Sequence, residues 1–365
     1  MATTYKTFLN NDITSTKTLL HEAIPLTGSL VSGTYGTFPN GDNIKNYAHG
    51  MFQSVYDYPY LSSSANHIFD ITCGYAPGSN LSSSTNTNVI QQDKKLNLYN
   101  QMAQILQGYD ATGSILKLDE DGNTTDGGTK LQEVFFLNFS RLLAKDEIKK
   151  GSFTLKLGTG SYLNPMMHTD GTTSGLVTIQ DTNGQNDYRV NSPAGEYGIL
   201  SMSAGALTGT PKCGLLFYQA GIAVLSGSVF TDSDRGGLLA ANSEVDMDGD
   251  GMPFSSSLSG AAISGTADNI RHRIYDMSFN NTTELNSTIH FARINHNDFN
   301  YSSNPTYLSS SKIVVKNNTQ DAPVSYITTV GLYSADNELL AVAKLSEPLK
   351  KDPTNEMTIR VRLDY

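Results

Sequence analysis

The clearest metal-binding pattern in the sequence is an acidic loop, residues 246–251, with the sequence DMDGDG. Alternate carboxylates of this kind converge on a hard cation, and glycine permits the sharp turn, so the loop matches the opening of a calcium-binding segment. The glutamate that usually completes such a segment is replaced by Ser257, and no helix pair is predicted around the loop. Two interpretations remain: a Ca²⁺ site with Asp246, Asp248 and Asp250 as ligands, or a solvated Asp/Gly turn.

The other residues that could do chemistry lack a convergent arrangement. The seven histidines are scattered, and only His290 and His296 lie close in sequence, so spacing assembles neither a zinc site nor a hydrolytic triad. Cys73 has no motif of a nucleophilic cysteine, and residues 158–160 lack the lysine and helix of a phosphate-binding loop. The sequence therefore predicts a protein that is not an enzyme, with no catalytic residue and no cofactor apart from the calcium considered above.

Charge and hydropathy argue against two classes of partner. The chain of 365 residues has a formal net charge of -10 and a pI near 5.1, whereas binding to nucleic-acid phosphates requires a basic face. No stretch reaches the roughly 18 apolar residues that a membrane span requires. Cys73 and Cys213 are interpreted as reduced core thiols, with a disulfide as the alternative. We expect a soluble chain, made in a reducing cytoplasm, that binds neither nucleic acid nor membrane.

The composition favours strands and loops. Hydrophobic residues make up 38% of the chain and charged residues 16%, and Ser, Thr, Asn and Gly supply much of the remaining polarity. Five β-prone runs separated by Gly, Asn and Asp are predicted to be strands, at residues 134–139, 153–157, 176–179, 215–218 and 222–225. The predicted fold class is mainly β with a few helices (α+β), built from antiparallel sheets or a sandwich.

Three segments are predicted to be helical. Apolar residues at three- and four-residue gaps indicate a helix that ends near Gly108, with Lys94 and Lys95 pointing away from its apolar stripe. The stripe consists of Leu96, Tyr99, Met102, Ala103 and Leu106. A second helix is predicted over residues 268–275, and residues 145–150 are predicted to form a short helix or a helical turn.

The sequence divides into three predicted segments. Residues 1–128 form an amino-terminal arm and a mixed α/β region, 129–280 a β-rich middle domain, and 281–365 a carboxyl-terminal antiparallel β domain. The first boundary lies near residues 119–128, whose composition predicts an exposed turn. The Thr/Ser/Gly-rich residues 1–40 suit either an extended arm that lies against a neighbouring chain or an ordinary loop-rich edge.

The last forty residues predict the sheet around which the chain is organised. Residues 357–365 alternate apolar and polar side chains, which is the period of a half-buried strand. Residues 326–333 and 339–345 flank a polar turn and predict a hairpin, and the run at 285–294 is predicted to join the same sheet. The turn-rich connector at 300–305 precedes this hairpin. It and the last strand either contact other subunits or belong to a sheet that closes its own domain.

The predicted intersubunit contacts are Asn300, Tyr301, Pro305, Tyr307, Met357, Ile359, Arg360, Val361, Arg362, Leu363 and Tyr365. These residues combine a polar connector with an alternating strand, which is the kind of surface that a repeated subunit presents to its copies.

Several stretches resemble a family of virion structural proteins from contractile-tailed bacteriophages of marine cyanobacteria and related bacteria. These include LHEAIPLTG at residues 20–28, the stretch at 43–70, NSPAGEYG at 191–198, FNYSSNPTY at 299–307, and residues 326–345. The similar pieces span most of the chain, and the segments from about 158 to 187 and from about 231 to 265 are the least similar. None of these motifs carries known chemistry.

The resemblance implies a structural subunit of a tailed bacteriophage particle, at the neck, tail or baseplate. Such a subunit is made in the host cytoplasm, resides in the virion, and acts as a homo-oligomer through contacts with copies of itself and other virion proteins. A capsid exterior decoration protein and a glycan- or receptor-binding particle protein remain the alternatives.

Overall fold

The computed structural model describes residues 5–27, 43–56, 67–82, 89–124, 127–158, 176–203, 211–231, 258–300, 320 and 322–365. The strands are β1 (Ile13–Thr27), β2 (Ile44–Asn46), β3 (Gln53–Tyr56), β4 (His67–Tyr75), β5 (Glu133–Phe139), β6 (Glu147–Ile148), β7 (Thr154–Gly158), β8 (Leu176–Gln180), β9 (Tyr188–Arg189), β10 (Tyr197–Ser203), β11 (Lys212–Phe217), β12 (Ile222–Ser226), β13 (Ile274–Ile294), β14 (Ser325–Tyr333), β15 (Leu339–Lys351) and β16 (Met357–Asp364). The α-helices are α1 (Gln92–Leu106), α2 (Arg141–Ala144), α3 (Ser228–Thr231) and α4 (Ile263–Arg273).

The predicted fold class is confirmed, because the chain is mainly antiparallel β with few helices. Each of the five β-prone runs of the middle segment lies in a strand, respectively β5, β7, β8, β11 and β12. The chain divides into two compact units. We call Met1–Leu19 with Glu284–Tyr365 the terminal unit and Leu20–Thr283 the central unit, and β1 and β13 contribute residues to both. The division of the sequence into three segments stays a prediction.

The central unit is a sheet with both faces covered. Its strands follow the order β13-β7-β8-β10-β11-β12-β5-β4-β3-β2. Side chains alternate along β5, so Phe135 and Phe136 belong to different apolar clusters. The helix residue Ala267 of α4 joins the first cluster and Ala103 of α1 joins the second. A helix therefore covers each face, and the strands of this unit are largely buried.

The predicted helix ending near Gly108 is confirmed as α1, but one of its lysines was misplaced. Gly108 has φ +80 and its N–H donates to the carbonyls of Ala103 and Gln104, which closes the helix. Lys95, predicted to point away from the apolar stripe, is fully buried. Its Nζ donates to the carbonyl of Ala261 at 2.7 Å, and burial lowers the pKa of this amine. Carbonyls preceding α4 satisfy the ammonium group, and the hydropathy pattern contains no sign of them.

Two other helix predictions need correction. The second helix begins at Ile263, earlier than predicted, and ends at Arg273, because Ile274 pairs with Leu157 and begins β13. The prediction of a helix at 145–150 was wrong. The helical turn lies just before it, in α2, and β6 then pairs with residues of β13 through Asn281↔Ile148. Long-range strand pairing overrides local helix propensity in this segment.

The turn predicted to be exposed at 119–128 is exposed at Asn123, Gly127 and Gly128 but not at its start. Asp119 is fully buried, and its carboxylate accepts a hydrogen bond from the N–H of Asp121 at 3.0 Å and from Nζ of Lys130 at 2.5 Å. Gly122, with φ +75, lies so close to Arg189 that a Cβ would meet its Cγ at 2.8 Å. A turn held by a buried aspartate and a turn exposed to solvent have the same amino-acid composition. The sequence alone therefore does not distinguish them.

The predicted core position of both cysteines is confirmed. Cys73 and Cys213 are buried, and burial raises the pKa of the Cys73 thiol to about 11. This thiol therefore stays protonated near neutral pH.

In the terminal unit the predicted hairpin and last strand are both present. β14 and β15 form an antiparallel two-stranded sheet, which we call the ribbon. β16 pairs antiparallel with β13 from Ser287↔Asp364 to Ile294↔Met357, so the run predicted at 285–294 joins the last strand as expected. The last strand does not extend the hairpin as a third strand.

The buried carboxylate of Asp181 holds two backbone segments of the central unit together. Its Oδ2 accepts from the N–H of Gly151 at 2.6 Å and from the Tyr218 hydroxyl at 3.2 Å, and its Oδ1 accepts from the N–H of Phe153 at 2.9 Å. Burial raises the pKa of Asp181 to about 6, against the opposite effect of these hydrogen bonds.

We expect Asp181 to make the stability of the central unit depend on pH. The folded state holds this proton more tightly than the unfolded state, whose pKa is near 3.8, so the stabilisation is complete below 3.8 and is lost as pH rises through about 6. The change amounts to about 3 kcal/mol at most. Urea unfolding at several pH values should show this decline in the native protein and not in Asp181→Asn, which cannot titrate.

The Asn variant also places an amide N–H against a backbone donor, which lowers stability by an offset that does not change with pH. Asp187→Asn, at an exposed aspartate, is the control and should retain the native pH dependence. An Asp181→Asn protein with the native slope would contradict the assignment.

Candidate functional site

The terminal unit buries very few apolar side chains. Among its described residues, Ile294 and Ile359 are the only hydrophobic residues that are fully buried, at 8% and 7% exposure. Its exposed large hydrophobic residues are Tyr5, Leu9, Ile13, Leu19, Leu285, Phe299, Tyr326, Tyr333, Leu339, Leu340, Val342, Leu349 and Tyr365. A sheet protein usually buries such side chains in a core, as the central unit does. The apolar surface of the terminal unit is therefore the candidate functional feature of this chain.

The last strand has the two faces that its sequence predicts. Met357, Val361 and Leu363 are half-buried and alternate with exposed residues such as Arg360. Beyond β16, the Tyr365 N–H and carbonyl both pair with Asn286, although the Tyr365 side chain is 75% exposed. Backbone hydrogen bonds of the sheet therefore hold Tyr365 as well as β16.

The outward polar residues of β16 differ in their contacts. Arg362 Nε lies 2.7 Å from Oδ1 of Asp364, and Ser287 donates to the same oxygen at 2.6 Å. The Ser287 hydrogen bond and then Arg362 lower the pKa of Asp364. The side chain of Arg360 makes no ion pair or hydrogen bond with any residue that the structure describes, so its cation remains available to another chain.

A buried lysine holds the base of the ribbon. Lys351, the last residue of β15, is fully buried, and its Nζ donates to Asn300 Oδ1 at 2.6 Å, Asp352 O at 2.7 Å and His296 O at 3.1 Å. Three oxygen acceptors satisfy the three donors of an ammonium group. Asn300, predicted to be an intersubunit contact, therefore has an intramolecular role in the described chain.

The two faces of the ribbon have different environments. Val330, Leu332, Ala341 and Ala343 line a small cavity of about 20 Å³, to which Gly331 and Val342 also contribute, together with Phe8, His290, Ala292, Val361 and Leu363. The inner face of the ribbon thus lies against the β13–β16 pair. On β15, Leu340 and Val342 are 63% and 60% exposed, and Leu339 is 54% exposed. Nothing in the described chain covers this second apolar surface.

A groove of about 670 Å³ runs along the edge of β14, and we call it the β14 groove. All of β14 lines it, from Ser325 to Tyr333, and no residue of β15 does. The rest of the lining comes from residues 5–8 and 292–294, from Phe299 and Ile359, and from Ser334, Ala335 and Asn337 beyond the end of β14. Because consecutive residues of one strand line it, the groove follows the backbone edge of β14 and not one of its faces.

The charged residues of the β14 groove are neutralised within the terminal unit. Lys6 Nζ lies 2.9 Å from Asp298 Oδ2, and Arg293 Nε lies 2.7 Å from Asp12 Oδ1. The hydrogen bond from Lys6 lowers the pKa of the Asp298 carboxyl. The rings of Tyr5 and Tyr333 are 5.0 Å apart. The groove therefore combines neutral side chains with the polar edge of a strand.

The structure brings together only part of the predicted site. Met357, Ile359, Arg360, Val361, Arg362 and Leu363 lie on one strand, and Tyr365 directly follows it. Tyr301, Pro305 and Tyr307 lie outside the described residues, as do the calcium candidates Asp246, Asp248 and Asp250. The sequence predicted neither the buried hydrogen-bonded position of Lys351 nor the exposed backbone edge of β14. The absence of charge from residues 325–333 was the available signal for that edge.

Two features are absent from the described part of the chain. There, no three His, Cys, Asp or Glu side chains converge on a possible metal position. No described helix is long and apolar enough to cross a membrane.

Comparison with protein-family models, with curated proteins and with solved structures finds no match for this chain. The resemblance to bacteriophage virion proteins therefore stays a prediction.

The buried ammonium of Lys351 predicts energetic coupling with Asn300. Removing one partner leaves a buried polar group unsatisfied, so Asn300→Ala and Lys351→Met should each destabilise the ribbon by about 1–3 kcal/mol. Their double mutant should cost less than the sum, with a coupling energy of about 1 kcal/mol or more. Hydrogen exchange of the ribbon amides, measured by mass spectrometry, gives the local opening free energies.

Lys350→Met provides the matched comparison, because Lys350 is the adjacent lysine and its side chain is 58% exposed. Its effect should add to that of Asn300→Ala. If Lys351→Met is equally additive with Asn300→Ala, the coupling is absent.

Proposed function

We propose that this chain is a structural subunit of a tailed bacteriophage particle that acts through protein–protein contacts of its terminal unit. The particle assignment rests on the sequence resemblance to virion proteins. The assembly role rests on one structural observation: the described residues of the terminal unit leave many large apolar side chains in solvent, whereas the central unit has an apolar core on both faces of its sheet.

The energetics favour a covered state for this surface. Fully burying a leucine or valine side chain contributes about 1.5–3 kcal/mol. Leu339, Leu340 and Val342 lie close together on β15 and are all more than half exposed, so a neighbouring chain that covers them gains several such contributions. Clusters of exposed apolar residues on a soluble protein usually mark interaction surfaces. Scattered single residues would need no such explanation, but these three are adjacent.

Strand edges provide a second means of contact. Within the described chain, β14 and β15 pair only with each other, so each has a backbone edge without a partner strand. Such edges accept strands from other chains, and a repeated particle subunit uses one edge many times. This surface suits a subunit of the neck, tail or baseplate. It suits equally the two alternatives, a capsid exterior decoration protein and a glycan- or receptor-binding particle protein.

The exposed surface of β15 should be required for incorporation into particles. The double variant Leu340→Asp/Val342→Asp places two carboxylates where the proposal puts a neighbouring chain. Burying these carboxylates weakens binding to that chain, and each 1.4 kcal/mol of binding free energy lost lowers the affinity about tenfold. Incorporation into particles should therefore fall about tenfold or more. The amount of chain in purified particles, measured by quantitative mass spectrometry after complementation with the variant, gives the result.

Ile105→Asp with Leu142→Asp is the matched control. These central-unit residues are 59% and 56% exposed, so the control makes the same chemical change at equally exposed positions. Circular dichroism establishes that both variants fold. Incorporation of the Leu340/Val342 variant at the level of the control would overturn the assembly role of this surface.

A further inference from the structure

The two edges of the ribbon are built differently. β15 has three features that discourage pairing with another chain: charged residues such as Lys344 and Lys350, a proline at 348, and a bulge. The bulge arises because residues 345–348 of β15 lie opposite Thr328 alone. β14 has none of these features, since its 9 residues, SYITTVGLY, contain no charge and no proline. The β14 edge is therefore the one suited to accept a strand.

The β14 groove selects an uncharged strand. It follows the whole edge of β14, which spans about 30 Å at the rise of a β-strand. Its cations, Lys6 and Arg293, are already paired with carboxylates of the terminal unit. A charged strand entering the groove would lose hydration without finding an opposite charge. The occupant should offer backbone hydrogen bonds and neutral side chains.

Among the edge strands of the described chain, β14 itself best meets this requirement. β16 carries Arg360 and Arg362, β1 carries Lys17 and Glu22, and β2 carries Lys45. We propose that β14 pairs antiparallel with the β14 of a second copy of this chain, about a two-fold axis at Thr329. The pairing rests on the proposed assembly role, of which it names one partner.

The two-fold axis fixes which residues face each other. Thr329 is the central residue of β14, so it lies opposite its own copy, and Ile327 lies opposite Gly331 of the second copy. Tyr333 and Leu339 of the same chain lie over Gly331, so the isoleucine of the second copy packs beside these two side chains. The product is a four-stranded sheet, β15-β14-β14-β15, in which the protected β15 strands form the outer edges. Pairing then stops at two copies, because those outer edges discourage further addition.

A single cysteine tests this register. Directly opposite residues of an antiparallel pair have Cβ atoms about 4.5–5.5 Å apart, close to the separation that a disulfide needs. Full-length Thr329→Cys should therefore form a disulfide-linked dimer under mild oxidation. Thr328→Cys is the matched control, because it is the adjacent exposed threonine but lies across from position 330 on the other face. It should cross-link at least tenfold more slowly. The native cysteines are buried and should not take part.

A second pair of variants tests the association itself. Thr329→Lys puts two ammonium groups opposite each other and should raise the dimer dissociation constant about tenfold or more, whereas Thr329→Val should leave it unchanged or lower it. Sedimentation equilibrium of the full-length proteins measures the constant. Thr329 is exposed, so neither variant should impair folding of the single chain.

The outcomes separate this pairing from the broader assembly role. Equal cross-linking at positions 328 and 329, or a dissociation constant unaffected by Thr329→Lys, would overturn the pairing. If the chain nevertheless enters particles in a manner that depends on Leu340 and Val342, the assembly role stands without it. Selective cross-linking at 329 in a chain that never enters particles supports the pairing and overturns the particle role.

Discussion

A β-sheet is stable in water only when an apolar layer covers at least one of its faces. The two units of this protein differ in how far they meet this requirement. The central unit meets it within one chain, because α1 and α4 contribute to apolar clusters on opposite faces of a long antiparallel sheet. The terminal unit meets it only in part, because the inner face of the ribbon lies against the β13–β16 pair but the described residues bury no hydrophobic side chain fully apart from Ile294 and Ile359. Its apolar surface and open strand edge are what a neighbouring chain would complete.

In both units a buried lysine holds backbone segments together through neutral oxygen acceptors. Lys95 donates to the carbonyls of Ser259 and Ala261, and Lys351 donates to two carbonyls and the Asn300 amide. Such fully satisfied polar networks hold backbone segments in one arrangement, because any alternative leaves a buried charge without partners. At the base of the ribbon, this network presents β14 and β15 as a preformed surface, which lowers the entropic cost of association.

The sequence predicts where the strands lie better than it predicts which strands pair and which groups their side chains contact. The alternating pattern identified β16, and β-prone runs separated by Gly, Asn and Asp identified β5, β7 and β8. The helix predicted at 145–150 failed because Glu147 and Ile148 pair with a distant strand, and such pairing leaves no local signal. Lys95 and Lys351 were missed for the same reason, since their carbonyl acceptors belong to backbone that sequence patterns do not describe. The open β14 edge was readable in principle, from the absence of charge over residues 325–333.

Cryo-electron microscopy of the purified particle that carries this chain tests the central claim most directly. The account predicts that, in every copy, the exposed surface formed by Leu339, Leu340 and Val342 is covered by protein density from another chain. A particle in which this surface faces solvent in all copies would contradict it.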